Sequence, residues 1–434
     1  MTASPSRGFP ILESRVCDHI DRLGAQSCEA FERVIDAVDP ETKQPQSRER
    51  KEMPGPLAGF KIIEMVGIGP APFGAMVLAD MGAEVLRIDR VGGGSFLSGG
   101  GGPADVLGRN RKSASINIKD PRGVEAVLDL VEQADGFVEG LRPGVMERLG
   151  LGPDVCRARN PKLVYGRMTG WGQEGTYKDD VGHDINYAAV TGALHTIGRR
   201  GQRPTPPVNY LADFGGGGLL LAFGMVTALL ERERSGEGQV VDAAMCDGVA
   251  LLSSSIFGAA QAGFWNMEPG TNMLDTGAHF YDVYECKDGR YVSVGAIEPQ
   301  FYVAFLEVLG LSGEDLPNQM DMSAWPKLKE RVEAIFKTKT RDEWCAAMEG
   351  HEVCFSPVLT MTEAPDHPHN ASRGVFVDVG DGKYQPAPAP RFSRSETGVH
   401  KVASVPGAET IECLEAWGLE ASRIEELRNA GVIG

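Results

Sequence analysis

Cysteine is sparse and unpatterned here, positive charge is in deficit, and long apolar runs are missing. The eight cysteines (Cys17, Cys28, Cys156, Cys246, Cys286, Cys345, Cys354, Cys413) include no C-x-x-C pair. In a chain of 434 residues this reads as reduced thiols in a cytoplasmic protein. No apolar run reaches the length of a bilayer crossing, so no membrane partner is expected. Met1-Thr2-Ala3-Ser4-Pro5 lacks the basic and apolar regions of a secretory signal, and Gly431-Val432-Ile433-Gly434 is no peroxisomal address. Lys and Arg number 43 against 60 Asp and Glu, a net charge of −17 that argues against nucleic acid as a partner. An anionic small ligand stays open, since it needs only a local cluster of Arg, Lys and backbone amides. The remaining composition, 42% hydrophobic and 24% charged, is that of a globular protein of two or three domains.

What is present falls into segments. In residues 18–38 Ile20, Leu23, Phe31, Val34, Ile35 and Val38 recur at helical spacing, and residues 40–52 are polar, so 1–53 reads as a helical or flexible extension. The body begins at Pro56. Residues 61–66 predict a buried strand, Gly67-Ile68-Gly69-Pro70 a turn whose proline opens a helix over 71–81, and 84–89 a second strand. A strand–helix–strand unit of this kind predicts a parallel sheet. The pattern continues with helices at 124–134 and 144–149, strands at 136–139 and 163–167, a long helix at 215–234 and a strand at 238–242. From about Phe280 the texture changes. Residues 281–294 give a hairpin around Asp288-Gly289, followed by amphipathic helices at 300–309, 325–336 and 341–348, which together predict a smaller α+β domain. Residues 385–391 read as an extended linker, 409–434 as a helical tail, and 92–102 as a glycine-rich loop.

Several motifs carry chemistry. Gly67-x-Gly69 after a strand invites a dinucleotide reading, but Pro72 stands where the third glycine belongs, so a tight turn in a Rossmann-like layer accounts for it better. Arg90, Arg109, Arg111, Lys112, Lys119, Arg142 and Arg148 collect at expected loop ends, where together they could pair with phosphates. His367 and His369 lack further ligands to complete a metal site. The densest signal is Gly182-His183-Asp184-Ile185-Asn186-Tyr187, followed by Asp213 ahead of four glycines and by Glu298 before Pro299. Alone, His183 would be a satisfied polar residue, and Asp213 and Glu298 would be polar caps of a helix. Together they could deliver acid and base to opposite faces of one carbon.

These segments resemble a family. Arg142-Pro143-Gly144-Val145, Met168-Thr169-Gly170-Trp171-Gly172-Gln173, residues 182–187, Asp213-Phe214-Gly215-Gly216-Gly217, residues 238–245, Asn272-Met273-Leu274-Asp275 and Glu298-Pro299-Gln300-Phe301 are similar to α-methylacyl-CoA racemases of the CaiB/BaiF-like, family III CoA-transferase superfamily. The resemblance runs from about Pro54 to Ser395. It implies an α/β fold: a large Rossmann-like, CoA-binding domain (54–245), a linker (246–279), a small α+β domain (280–372), a return linker (373–395) and a C-terminal part (396–434) rejoining the large domain. It also implies an obligate, interlocked homodimer, with the active site between the large domain of one copy and the small domain of the other.

The implied reaction inverts the carbon α to a thioester through an enolate, with CoA as part of the substrate and no separate cofactor. His183 and Asp213 would serve the two faces, and Glu298 would hold His183. The thioester oxygen would meet the amide near Asp184, with Asp184 and Asn209 organising the site. Asp213 is expected to be partly desolvated, which raises its pKa. Arg90, Lys119, Arg142 and Arg148 would take the phosphates, with Ile68, Ile118, Gly140 and Leu141 near the adenine or pantetheine. Tyr187 falls in the same motif as His183. Met245, Met273 and Leu274 would form the pliable surface for the acyl chain. The alternative is a family III CoA-transferase with Asp184 as the nucleophile of an acyl–enzyme anhydride. Transferases of this type do not usually carry the preceding histidine or the Glu-Pro-Gln-Phe segment.

Overall fold

The computed structural model describes residues 55–93 and 101–434. The helix expected within 1–53 and positions 94–100 of the glycine-rich loop lie outside the described residues.

Six short runs form one sheet, five of them carrying β-branched or aliphatic side chains and one, Lys112-Ser113-Ala114-Ser115, mostly polar. They are β1 (Lys61–Met65), β2 (Glu84–Asp89), β3 (Lys112–Ser115), β4 (Gly136–Glu139), β5 (Val164–Thr169) and β6 (Val240–Ala244). Every neighbouring pair is parallel, in the order β3-β2-β1-β4-β5-β6. Helices α1 (Pro70–Asp80), α2 (Pro121–Val131), α3 (Val145–Arg148), α4 (Asp184–Val190), α5 (Leu219–Ser235) and α6 (Met245–Leu252) follow along the chain. Later come α7 (Pro299–Val308), α8 (Thr410–Ala416) and α9 (Ala421–Asn429). A parallel sheet is covered on both faces, and alternate residues of each strand serve separate cores. Ile63, Leu86, Phe137 and Tyr165 pack with residues of α2, α8 and α9. Ile62, Val85, Val138 and Val164 pack with residues of α1, α5 and α6. The C-terminal residues complete the first of these cores. Ile433 bridges Ile116, Asn117 N donates to Val432 O at 2.8 Å, and Trp417 Nε1 donates to Glu84 Oε1 at 2.9 Å.

Four expectations need correction. The helix expected at 215–234 starts earlier and opens as a π-helix, Tyr210–Gly218, which runs directly into α5. The glycines explain the tolerance for it. A Cβ on Gly218 would lie 2.4 Å from Pro70 O, and one on Gly248 would lie 1.9 Å from Gly216 O, so neighbouring backbones approach at distances that only glycine allows. The continuous Tyr210–Ser235 stretch is also long and apolar enough, by length and composition, to cross a bilayer, against the expectation of no such run. Here one face of it is sheet core. The expected linker at 385–391 begins instead inside a short hairpin of β10 (Phe376–Asp378) and β11 (Tyr384–Pro386). Its Gln385 is fully buried and donates to Pro103 O at 2.9 Å. Finally, Arg109 and Arg111 are not free to meet phosphate. Arg109 is buried and clamps both oxygens of Asp80, and Arg111 is buried against Glu64. Lys112 pairs with Glu412 at 3.2 Å.

The smaller domain is a three-stranded antiparallel sheet of β7 (Tyr281–Glu285), β8 (Tyr291–Gly295) and β9 (Phe355–Val358), with the expected hairpin joining β7 to β8. Helix α7 and the helices Trp325–Phe336 and Arg341–Met348 pack Phe305, Phe336 and Trp344 onto it. Asp282 ties this domain back to the segment after α4, accepting from both Arg199 Nη atoms at 3.0 and 2.9 Å, and pairs with Lys329 at 2.8 Å.

His279 is 1% exposed in this domain, with Nε2 2.8 Å from the Tyr302 hydroxyl. Burial, helped by the Lys329 charge, pushes its pKa down to about 4 from 6.5. A base held neutral when folded is protonated first when unfolded. Its contribution is therefore fully present above pH 6.5 and drains away as pH falls toward 4, by about 3 kcal/mol in all. Denaturant titrations across that window are expected to show this loss in the unaltered chain and a flatter profile in His279→Gln. Equal slopes would mean that other groups carry the acid sensitivity.

Candidate active site

In an open parallel sheet, ligands settle where the connections on either side of one strand run in opposite directions. That point here lies between β1 and β4. The turn after β1 supplies Ile68 and Gly69, and the turn after β4 supplies Gly140, Leu141 and Arg142. Of the clefts at this edge, two share Leu141. One, of about 640 Å³, is walled by Arg90, Ile118, Lys119, Leu141 and Arg148, with Gly431 from the C-terminal tail. The other, of about 370 Å³, contains both His183 and Asp213, walled by Ile68, Gly140, Arg142, Tyr187 and Met245.

His183 stands at the N-cap of α4, with extended backbone, and is exposed. Asn186 fixes the approach, since its Oδ1 accepts from His183 N at 3.1 Å. Tyr187, one turn into α4, is buried, donates its hydroxyl to Gly182 O, and meets the Trp171 ring edge-on at 4.7 Å. Burial pushes its phenol up to about 12. Asp213 sits inside the π-helix rather than capping it. It is half-buried, and its Oδ2 accepts from Asn209 Nδ2 at 3.3 Å. Burial raises the Asp213 pKa, the Asn209 donor opposes that, the Asp184 charge adds to it and the His183 charge lowers it.

Asp184 joins the two elements. It is the first residue of α4 and only 5% exposed. Its Oδ2 accepts from the backbone of Ala212 at 2.6 Å and of Asp213 at 2.8 Å. Its Oδ1 is sealed from solvent and has no hydrogen-bond partner among the described residues. Asp184 is therefore not among the residues that wall the cleft.

Other expected residues lie apart. Glu298 occupies the N-cap of α7 in the smaller domain, exposed and within electrostatic range of Cys354. Among the described residues no hydrogen bond or ion pair joins it to His183. Met273 packs against the core of the smaller domain, and Leu274 is exposed. The cleft also holds residues that sequence reasoning left without a role: Trp171, Lys178 and Asp180. The first belongs to a quoted motif and could have been found. The two charged residues lie in an exposed loop with no periodic or motif signal.

The comparisons with known proteins agree on the lineage. Residues 57–410 match CoA-transferase family III. The chain belongs to that family. Among family III relatives, alpha-methylacyl-CoA racemase of Mus musculus is 43% identical over 381 residues, covering 87% of this chain and 97% of the relative. Alpha-methylacyl-CoA racemase of Homo sapiens is 42% identical over 379 residues, with the same coverages. The crystal structure of a CAIB/BAIF family protein from Brucella suis superposes with a TM-score of 0.73 at 22% identity, covering 84% of this chain and all of that one (100%), which supports the shared fold.

The Asn209 contact has a measurable consequence. The donor favours the ionised carboxylate, so its removal in Asn209→Ala is expected to raise the Asp213 pKa further. Carbon-13 NMR titration of the Asp213 carboxyl checks this. An unchanged or lower value would show that the contact contributes nothing to the ionisation.

Proposed function

We propose that this chain is an α-methylacyl-CoA racemase that interconverts the two configurations of 2-methylacyl-CoA thioesters by moving one proton off and back onto the α-carbon. The lineage supports it, because relatives 42–43% identical over 87% of the chain bear that name. The observation that carries the chemistry is the single cleft walled by both His183 and Asp213. An α-thioester hydrogen is weakly acidic, and inversion through a planar enolate needs a donor on each face. In this reading the two groups take those faces. The raised pKa of Asp213 brings a carboxyl closer to the range where it can both give and take a proton. The enolate oxygen meets the Asp184 amide at the start of α4, where partial positive charge gathers. CoA lies along the larger cleft, with Arg90, Lys119 and Arg148 on its phosphates, while Arg142, expected on a phosphate, walls the other cleft and so falls near the pantetheine. CoA crosses Leu141 to reach the reaction cleft, where Met245 takes the acyl chain.

Glu298 reaches His183 from a second copy in this reading, with Met273 and Leu274 extending the acyl surface. The apolar stripe on α5 supports such a partner. Leu219, Phe223, Val226 and Leu230 fall on one helical face and are 52%, 67%, 38% and 60% exposed.

The transferase alternative fits less well. A nucleophilic carboxylate must face the thioester, whereas the Asp184 carboxylate is buried, with one oxygen held by two amides and the other sealed.

The test is exchange of the α-proton of a single-enantiomer 2-methylacyl-CoA in heavy water, followed by NMR. The unaltered chain is expected to incorporate deuterium and epimerise without any acceptor acid. His183→Ala and Asp213→Ala are each expected to lose at least about 100-fold, the usual contribution of a positioned acid or base, while eluting at the unaltered size. Near-normal turnover in both, or CoA transfer to a free acid without exchange, would overturn the assignment.

A further inference from the structure

Directly beneath the wall shared by the two clefts lies a buried charge relay that the mechanism does not use. Glu139 ends β4 and is fully buried. Its Oε2 accepts from the Leu141 amide at 2.7 Å, two residues ahead. Its Oε1 accepts from Arg167 Nε at 3.1 Å, and Arg167 is its register partner on β5. The far side of the same guanidinium reaches α3, where Arg167 Nη1 lies 2.9 Å from Glu147 Oε1 and Nη2 donates to Glu147 Oε2 at 3.3 Å. Arg167 is itself only 7% exposed.

These contacts end on ligand-facing residues. Leu141 walls both clefts, and Val145 and Arg148, on either side of Glu147 in α3, wall the larger one. The segment has little other freedom. A Cβ on Gly140 would lie 2.8 Å from the Ala71 Cβ of α1, so its backbone is pressed against that helix. Charge-assisted hydrogen bonds to a buried carboxylate are the stronger kind, and a planar guanidinium holding two carboxylates at fixed angles makes a rigid strut. A pair serving only the sheet would not need to hook forward onto an amide two residues beyond the end of the strand.

We propose that Glu139 and Arg167 are positioning residues for the CoA thioester, fixing through the Leu141 amide and Glu147 the wall over which the pantetheine arm passes between the clefts. The proposal rests on the CoA reading of the larger cleft and deepens it. The ionised form of Glu139 makes the strut, and burial pushes its pKa up to about 7 despite Arg167. The charged groups that face it are Arg167 from β5 and Glu147 from α3, with the Tyr165 hydroxyl of β5 nearby and neutral throughout. Ligand affinity should therefore weaken as pH falls through 7.

The experiment measures binding without turnover, so it is independent of racemisation. Calorimetric titration of the full chain with dephospho-CoA, which lacks the phosphate that titrates near 6, is run from pH 6 to 8.5. The unaltered chain is expected to bind more weakly below pH 7. Glu139→Gln is expected to bind about tenfold more weakly at pH 8, the scale of one lost charge-assisted hydrogen bond, and to lose the pH dependence. In turnover the same variant should raise KM with kcat changed far less. Glu147→Gln alters the half-exposed end of the strut, where folding is not at stake. It should weaken binding in the same direction, and adding it to Glu139→Gln should cost little more, because both act through Arg167. Unchanged affinity in both variants, or a pH dependence that survives in Glu139→Gln, would overturn the proposal even if the thermal midpoint falls. No binding of dephospho-CoA or CoA by the unaltered chain would remove the cleft assignment beneath it, whereas binding without α-proton exchange would sink the racemase reading and leave this one standing.

Discussion

One buried carboxylate fixes the geometry on which the catalytic reading depends. Asp184 opens α4 and accepts two consecutive amides of the π-helix. Those amides belong to Ala212 and to Asp213 itself, and the residue before Asp184 is His183. The two groups proposed to handle the proton are therefore joined through a single side chain, one preceding it in the chain and the other bonded to it by its own amide. Charge-assisted bonds of 2.6 and 2.8 Å to an acceptor 5% exposed leave little slack. The same charge also acts on Asp213 at short range and raises its pKa. Asp184 thus contributes to both placement and ionisation, although burial is the larger cause of the raised Asp213 pKa, and the residue that a transferase would use as nucleophile is here committed to structure.

The π-helix is the second half of that arrangement. An α-helix in its place would use the amides of residues 212 and 213 within its own early turns or leave them to solvent. The wider turn, seated between α1 and α6 by glycines that let backbones touch, points both at Asp184. Local departures from α geometry of this kind concentrate at functional sites because the freed backbone groups can be aimed. The run of four glycines is thus a packing device first. Its consequence is that Asp213 faces a cleft from within a helix, held by Asn209 one turn back.

Legibility in the sequence followed the range of the interactions. Five of the six parallel strands could be read because each is a short, largely apolar run between turn residues, whereas β3, Lys112-Ser113-Ala114-Ser115, carries no such run and could not be; the hairpin of the smaller domain could be read because Asp288-Gly289 dictates its turn. His183 and Asp213 could be singled out from their motifs, but their common cleft depends on Asp184 reaching across 28 and 29 positions, which no local pattern encodes. The basic residues divide the same way. Arg90, Lys119, Arg142 and Arg148 wall the two clefts that share Leu141, whereas Arg109 and Arg111 pair with Asp80 and Glu64, at separations of 29 and 47 residues. A cluster of cations in a sequence is ambiguous until the acids that neutralise it are placed. The π-helix was likewise hidden, because glycine runs signal a turn unless the backbones pressing on them are known.

The apolar stripe on α5 bears on why the two halves of the proposed machinery are separated in one chain. Helix α5 presents one face to the sheet and leaves Leu219, Phe223, Val226 and Leu230 open, although it continues the π-helix that holds Asp213. Apolar side chains in that row are costly in water unless something covers them. Glu298, meanwhile, is held on a helix cap of the other domain, away from the imidazole it would serve. If the covering surface is a second copy, burial of this stripe and delivery of Glu298 become one event, since the helix that anchors the partner is continuous with the segment carrying the acid. Association would then set the geometry of the reaction cleft as well as the stability of the pair. An isolated copy would keep the Asp184 linkage and both clefts while lacking the carboxylate proposed to orient the imidazole.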